Sequence, residues 1–255
     1  MKNNTLKQKL KNRENTTGSW ITIGHQAIID IMAEAGFEWL TIDIEHTPID
    51  YNEIQVLIGF IQSRGMAALV RVSKNEEVVI KRVLDAGADG VIVPMVCSAE
   101  DAKQAVEYAK YPPIGKRGVG LNRAQRYGFG FEQYKEWVKE NLVVIAQIEH
   151  IKGVENIQEI IATEGIDGII IGPYDLSGSL GIPGQYNEPV VVEALQRVEK
   201  ACLENKFSMG YHVIEPDADL VKQKNEAGYN FIAFSTDFLF MGKKAAYEMG
   251  RYKTA

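Results

Sequence analysis

The sequence predicts an α/β fold, a (β/α)8 TIM barrel in which parallel strands alternate with helices. Four times along the chain a glycine ends a helical segment and an apolar run follows, and these runs stop at Asp43, Pro94, Gly172 and Ser235. Glycine supplies the left-handed cap that ends a helix, and an almost unbroken apolar run is typical of a strand buried on both faces of a parallel sheet. Such sheets carry their functional groups at the carboxyl ends of the strands.

Eight segments fit the strand pattern, and segments of helical period separate them. The predicted strands are at about residues 19–23, 38–43, 67–72, 90–94, 143–148, 168–172, 207–213 and 231–235. This count and the length of 255 residues match a barrel. A doubly wound sheet is the alternative, but it usually has fewer strands and a G-x-G-x-x-G fingerprint, which this sequence lacks.

No linker, low-complexity tract or charge block divides the chain, so residues 1–255 are predicted to form one barrel domain. Residues 1–17 are a polar N-terminal segment, where the spacing of Leu6 and Leu10 indicates a short surface helix. The tail 236–255 exceeds a minimal barrel and is predicted to form an extra C-terminal helix.

Charge and cysteine content argue against several classes of function. The formal net charge of −6 provides no basic surface for nucleic acid or an anionic membrane, and no apolar stretch is as long as a membrane span. Cys97 and Cys202 lie far apart and suggest neither a disulfide framework nor a zinc site. The polar N-terminus has no apolar signal-peptide core. We therefore expect a cytoplasmic protein without nucleic-acid or membrane partners.

Two carboxylates at neighbouring predicted strand ends are candidate metal ligands. Gln147 and Glu149 lie two residues apart on one strand, so they point to the same side. Asp175 follows the next strand. Oxygen ligands placed in this way suit a hard divalent cation. The alternative is that both carboxylates only cap the helices that follow, and the residues alone leave both interpretations open.

His46 and Arg71 are the other chemically informative positions. A carboxylate near His46, such as Asp43, can hold the imidazole in one tautomer and raise its basicity; a hydrogen-bonded loop histidine is the alternative. Arg71 ends an apolar strand, and a buried guanidinium is costly unless an anion meets it. That anion is either a substrate or a protein carboxylate such as Asp85.

Other strand ends and loops narrow the chemistry. No predicted strand ends at a lysine, so a Schiff-base aldolase is not indicated and electrophilic assistance is expected from a metal. His212 could face the barrel mouth. The long connection 111–141 carries Arg123 and Arg126, which either bind a substrate carboxylate or contact another subunit.

Six motifs, in the same order along the chain, together resemble the HpcH/HpaI aldolase family of class II pyruvate aldolases. The motifs are Asp43-Ile-Glu45-His46, Ile80 to Ala88, Val93-Pro94-Met95-Val96, Tyr111 to Gly118, Gln147-Ile-Glu149 and Gly172 to Ser177. The resemblance implies a barrel of the phosphoenolpyruvate/pyruvate type. It also implies a homo-oligomer, a trimer or hexamer, in which subunits exchange the last helix.

The resemblance further implies an activity, cleavage of a 4-hydroxy-2-oxo acid to pyruvate and an aldehyde. There are two alternatives to this activity: a condensation on a ketoacid such as oxaloacetate, and a barrel without catalytic activity. The implied cofactor is Mg²⁺, Mn²⁺ or Co²⁺, held by Glu149 and Asp175. The implied contacts to the oxo acid come from Gln147, Gly172, Pro173 and Tyr174.

The catalytic roles that the resemblance implies fall on four residues. Arg71 would stabilise the developing enolate oxygen. His46 would deprotonate the 4-hydroxyl group, with Asp85 raising its basicity and Asp43 as a second partner. Tyr174 stands where smaller residues are common in the family, which is expected either to narrow the mouth or to alter the pyruvate pocket.

Overall fold

A closed barrel of eight parallel strands forms the centre of the protein, in a computed structural model that describes residues 5–254. The strands pair in sequential order and β1 pairs with β8, so the predicted (β/α)8 fold is confirmed. They are β1 Thr16–Ile21, β2 Trp39–Asp43, β3 Ala67–Arg71, β4 Gly90–Val93, β5 Val143–Ile148, β6 Gly168–Ile171, β7 Met209–Val213 and β8 Phe231–Thr236.

Helices surround the barrel and pack their apolar faces against the strands. They are α1 Thr5–Asn12, α2 Gln26–Glu34, α3 Tyr51–Ser63, α4 Glu77–Asp85, α5 Ala99–Ala109, α6 Phe131–Asn141, α7 Ile151–Glu155, α8 Ile157–Ile161, α9 Pro173–Ser179, α10 Pro189–Glu204, α11 Ala218–Glu226 and α12 Asp237–Thr254. None of the helices in this described range combines the length and the apolar character that a membrane crossing requires.

The start of the first strand differs from the sequence pattern because tertiary pairing decides it. β1 begins at Thr16 rather than at about residue 19, since Thr16 and Thr17 pair with β8 when the barrel closes. α12 begins at Asp237, whose carboxylate accepts hydrogen bonds from the backbone N–H groups of Thr22 and Ile23. These bonds tie the C-terminal helix to the end of β1.

The N-terminal helix has a different place from the one its sequence suggested. Leu6 and Leu10 are buried and pack with residues of the barrel interior, among them Trp39 and Phe231. Lys7 donates to the carbonyl oxygen of Leu142, just before β5. The helix is therefore not a simple surface element, because it covers the amino-terminal end of the barrel.

The barrel interior depends on one close approach between β1 and β2. The indole of Trp39 stacks on Phe231 with ring centroids 4.3 Å apart, and it lies directly against Gly18. A Cβ atom at position 18 would fall 2.0 Å from the Trp39 ring. Only glycine leaves room for this large side chain, so the interior is packed to its limit here.

We expect Gly18→Ala to lower the free energy of unfolding by about 3 kcal/mol, the upper range for an overpacked core. Urea unfolding followed by circular dichroism measures the loss. Gly178→Ala on α9 is the matched control, because a Cβ atom there would meet only Pro183 Cβ, at an ordinary contact distance of 3.9 Å, and alanine favours a helix over glycine. Equal stability of the two variants would contradict the packing explanation.

Candidate active site

An open pocket of about 320 Å³ lies at the carboxyl ends of the strands. It brings together six of the residues predicted for the site: Arg71, Gln147, Gly172, Pro173, Tyr174 and Asp175. Trp20 from β1 and His212 from β7 complete its polar and aromatic lining. The pocket is therefore built from β1, β3, β5, β6 and β7 together with the start of α9.

The guanidinium of Arg71 is fixed by a carboxylate on the neighbouring strand. Arg71 Nε donates to Asp43 Oδ1 at 3.0 Å and Nη2 donates to Oδ2 at 2.7 Å, and the two residues pair in the register of β2 and β3. The Arg71 side chain also lies over the Trp20 ring, 4.4 Å from its centroid. The protein carboxylate that meets Arg71 is thus Asp43 and not Asp85.

Asp43 also shapes the loop that follows β2. Its Oδ1 atom accepts from the backbone N–H groups of Glu45 at 3.0 Å and His46 at 3.4 Å. Asp43 therefore contacts the backbone of His46 and not its imidazole. That imidazole is 66% exposed, and its Nε2 atom lies 3.6 Å from Glu45 Oε2.

Glu45 is a site residue that the sequence reasoning did not single out. Its Oε2 atom lies 3.3 Å from Arg71 Nε, yet within residues 5–254 it forms no hydrogen bond. Burial raises the pKa of Glu45 to about 7, with Arg71 opposing the shift and Glu149 adding to it. The sequence feature that could have identified Glu45 as a site residue is its place between Asp43 and His46 in the first motif.

Asp85 lies at the end of α4 and does not contact the cluster of Arg71, Asp43 and Glu45. Its Oδ1 atom accepts from Arg117 Nη2 at 2.6 Å and from Gln125 Nε2 at 3.0 Å. These bonds hold the connection after α5 against the end of α4. Within one chain, the carboxylate next to His46 is therefore that of Glu45.

The two arginines of the connection have different surroundings. Arg123 donates to the carbonyl oxygen of Ala86 at 3.1 Å and to Gln62 Oε1 at 2.8 Å, so it stabilises the fold. Arg126 is exposed and has a left-handed backbone with φ of 53°. Neither arginine lines the pocket.

Glu149 is the buried carboxylate of the pocket region. Its Oε1 atom accepts from the backbone N–H of Met95 at 2.8 Å, and Oε2 accepts from Gln147 Nε2. Burial nevertheless raises the pKa of Glu149, and Asp175 adds to the shift. Met95 adopts a left-handed backbone with φ of 54°, a strained conformation that directs its N–H toward Glu149.

The helix-capping interpretation of the two carboxylates does not match their contacts. His150, and not Glu149, is the residue whose side chain caps α7. Asp175 lies inside the first turn of α9, whose N-cap is Gly172. Neither carboxylate therefore caps a helix, and Asp175 lines the pocket.

The residues present fit a divalent cation that shares its coordination with substrate. Glu149 is buried next to the charge of Asp175, an arrangement that a cation would relieve, and the Gln147 Oε1 atom has no partner in the described chain. Within residues 5–254, no three or more His, Cys, Asp or Glu side chains form a metal cluster by themselves. A site of two carboxylates leaves positions open for substrate oxygens.

Comparison with known proteins now identifies the family. Residues 16–241 match the model of the HpcH/HpaI aldolase/citrate lyase family. The chain belongs to this family. It is 34% identical over 239 residues to a hydroxypyruvate/pyruvate aldolase of Roseobacter denitrificans, covering 93% of each chain. As a member, the protein is an enzyme, a lyase of the aldolase class.

Solved structures give the same assignment. An HpcH/HpaI aldolase/citrate lyase family protein from Burkholderia cenocepacia J2315 is 32% identical, with a TM-score of 0.92 over 98% of this chain and 99% of that chain. The citrate synthase SbnG is 26% identical, with a TM-score of 0.87 over 98% of this chain and 97% of that chain.

The aromatic side chain that was expected to narrow the mouth is largely exposed. Tyr174 is 54% exposed, and its ring lies against the Gly184 backbone, where a Cβ atom would be 3.4 Å away. The aromatic ring thus forms part of the pocket wall.

We expect Glu45→Gln to change how stability depends on pH in the metal-free protein. The folded pKa of about 7 lies above the ordinary glutamate value of 4.5. The folded protein therefore holds the Glu45 proton more tightly than the unfolded chain does. The resulting contribution to the free energy of unfolding is complete below about pH 4.5 and is lost as the pH rises through about 7. The variant should be more stable than the parent at pH 8, by roughly 1 kcal/mol, and should lose this pH dependence.

Urea unfolding at pH 5 and at pH 8 measures both effects. Glu34→Gln is the control, because Glu34 is an exposed carboxylate on α2. If Glu45→Gln and Glu34→Gln follow the same pH profile as the parent, Glu45 is not the buried acid that the structure describes.

Proposed function

We propose that this protein is a divalent-metal-dependent aldolase that cleaves or forms a 4-hydroxy-2-oxo acid, with pyruvate and an aldehyde as the products of cleavage. The observation that carries the proposal is that a fixed guanidinium and an amide, Arg71 and Gln147, line one pocket, and that the amide donates to the buried carboxylate of Glu149. The Roseobacter denitrificans relative, a hydroxypyruvate/pyruvate aldolase, supports it.

Glu149 and Asp175 would hold Mg²⁺, Mn²⁺ or Co²⁺, which when bound polarises the oxo group of the substrate. Gln147 and the Gly172-Pro173-Tyr174 segment would bind the oxo acid from the same side of the pocket. Their contribution is to orient the oxo acid, which lowers the entropic part of the barrier.

Arg71 is proposed to place positive charge where the enolate oxygen develops. Asp43 holds the guanidinium from one side and Trp20 packs against its face, so the group needs no reorganisation when negative charge appears. Preorganised donors of this kind are typically worth about 10²–10³ in rate.

His46 is proposed to take the proton of the 4-hydroxyl group during cleavage. Its imidazole is 66% exposed and follows the carboxyl end of β2, the end of the barrel at which the pocket lies. Glu45, 3.6 Å from His46 Nε2, is the carboxylate that would hold the imidazole in one orientation and tautomer. Within one chain, this role falls to Glu45 and not to Asp85.

A second function, condensation on a ketoacid such as oxaloacetate, uses the same residues for enolate chemistry. The structural likeness to the citrate synthase SbnG, at 26% identity, is the observation that favours it. The aldolase relative is more similar, at 34%, so cleavage is the function that we propose. A non-catalytic barrel does not explain the buried charged residues.

We expect activity to disappear with EDTA and to return with Mg²⁺, Mn²⁺ or Co²⁺. Glu149→Gln keeps the size of the side chain but removes the charge, so it should abolish Mn²⁺ binding in calorimetric titration while the fold survives. Glu159→Gln on α8 is the control, because that carboxylate is exposed. Wild-type Mn²⁺ affinity in Glu149→Gln, or a borohydride-reduced pyruvate adduct on a lysine, would refute the metal assignment.

Variants of Arg71 and His46 should separate enolate formation from carbon–carbon cleavage. Exchange of pyruvate methyl protons in D₂O, followed by NMR, reports the enolate alone. Arg71→Lys keeps a charge beside Asp43 but loses the two-pronged geometry, so it should slow both exchange and cleavage by about 10²-fold.

His46→Gln should slow cleavage much more than exchange, and the rate of cleavage should lose its acidic limb. Cleavage is measured by coupling pyruvate release to lactate dehydrogenase. Near-wild-type cleavage in His46→Gln would place the base elsewhere, and equal losses of exchange and cleavage would mean that His46 acts on the enolate.

The C-terminal helix is proposed to cover a neighbouring barrel in a homo-oligomer, a trimer or hexamer. It carries a set of exposed apolar and aromatic side chains: Phe238, Met241, Tyr247, Met249 and Tyr252. Deleting residues 239–255 should therefore give smaller or aggregated species in light scattering. A soluble oligomer of unchanged subunit number would contradict helix exchange.

A further inference from the structure

His212 on β7 is a pocket residue to which the proposed mechanism gives no role. Its imidazole packs near Trp20, with ring centroids 5.5 Å apart, and both residues line the pocket. The Nε2 atom is buried and has no hydrogen-bond partner among residues 5–254. Burial lowers the pKa of His212 to about 4, and the charge of Arg71 adds to the shift. The ring is therefore neutral at physiological pH.

The Ser235 backbone decides which nitrogen of this neutral ring carries the proton. The hydrogen bond to that backbone favours the protonated imidazole, as a bond from a ring N–H to a carbonyl oxygen does. Since Nε2 has no partner, the ring atom that donates is Nδ1. We assign the proton to Nδ1, so Nε2 presents a lone pair and accepts hydrogen bonds only.

The Ser235 carbonyl is itself held in place. Ser235 has a left-handed backbone with φ of 52°, and its hydroxyl donates to the carbonyl oxygen of Ile214 at 2.8 Å. The Ser19 hydroxyl donates to the Ser235 carbonyl at 3.1 Å. A strained residue fixed by several contacts is characteristic of functional sites, and this one provides the backbone group that bonds the His212 ring.

The chemistry of Nε2 selects the group that can face it. A carboxylate has no proton to donate, and an apolar group would leave the buried acceptor unsatisfied, at a cost. A hydroxyl group can donate to Nε2. Trp20 Nε1–H, which likewise has no partner in the described chain, offers a donor on a neighbouring ring, and a hydroxyl group can also accept from it.

We propose that His212 Nε2 accepts a hydrogen bond from a hydroxyl group of the substrate, and that this bond makes the enzyme prefer hydroxylated substrates over their deoxy analogues. The inference rests on the proposed function, because it concerns the substrate of the same pocket. The hydroxyl group can come from C3 of the oxo acid or from the aldehyde.

Two pairs of near-isosteric substrates distinguish these sources. Hydroxypyruvate is compared with 2-oxobutanoate as the oxo acid, and glycolaldehyde with propanal as the aldehyde, with the other reactant held constant. For the holoenzyme we expect kcat/KM to favour the hydroxylated member of one pair. His212→Leu should reduce that preference by about 10- to 100-fold, the effect of one buried hydrogen bond.

His212→Gln is the matched variant, because its side-chain oxygen can replace Nε2 as an acceptor. It should recover much of the preference that the Leu variant loses. His212→Phe provides a second ring without an acceptor if the Leu variant does not fold. An unchanged preference in both pairs overturns the proposal, and so does an equal loss of activity on every substrate, which would show a structural role.

Ligand binding separates failure of this inference from failure of the proposed function. Calorimetric titration of the Mg²⁺-loaded protein with hydroxypyruvate and with 2-oxobutanoate needs no turnover. If the wild type turns over no pair, the aldolase proposal fails. The ratio of the dissociation constants for hydroxypyruvate and 2-oxobutanoate, compared between the wild type and His212→Leu, still tests whether His212 binds the hydroxyl group of the oxo acid. An unchanged ratio, together with no catalytic preference for glycolaldehyde, refutes the role of His212.

Discussion

The bidentate ion pair between Arg71 and Asp43 is the interaction on which the rest of the site depends. Both side chains are largely buried, so the desolvation cost is large and only good geometry with further hydrogen bonds offsets it. The parallel register of β2 and β3 supplies that geometry. Because Asp43 also binds the N–H groups of Glu45 and His46, one carboxylate positions the guanidinium, the buried acid and the exposed imidazole together.

An excess of negative charge surrounds this single guanidinium. Glu45, Glu149 and Asp175 lie within electrostatic reach of one another, and the pKa values of Glu45 and Glu149 are raised mainly by burial and also by these like charges. Arg71 is already committed to Asp43. The remaining charge is of the kind that a divalent cation would neutralise, which is the physical basis of the metal that we propose.

Two strained residues show how the barrel uses backbone groups as well as side chains. Met95 after β4 directs its N–H to Glu149, and Ser235 in β8 directs its carbonyl to His212. Both have left-handed backbones at the carboxyl end of the barrel, where the surrounding sheet can hold them. One contacts the carboxylate that we propose as a metal ligand, and the other contacts the imidazole that we propose as a hydrogen-bond acceptor.

The sequence by itself determined the barrel, its family and the strand ends that carry the site, because buried parallel strands and helix-ending glycines have strong local patterns. Only the tertiary structure decided the partners. Asp43, and not Asp85, meets Arg71 because strand register sets which side chains face each other. Burial and the field of neighbouring charges shift the pKa values of Glu45 and His212. These are sums over residues far apart in the chain, so no local pattern contains them.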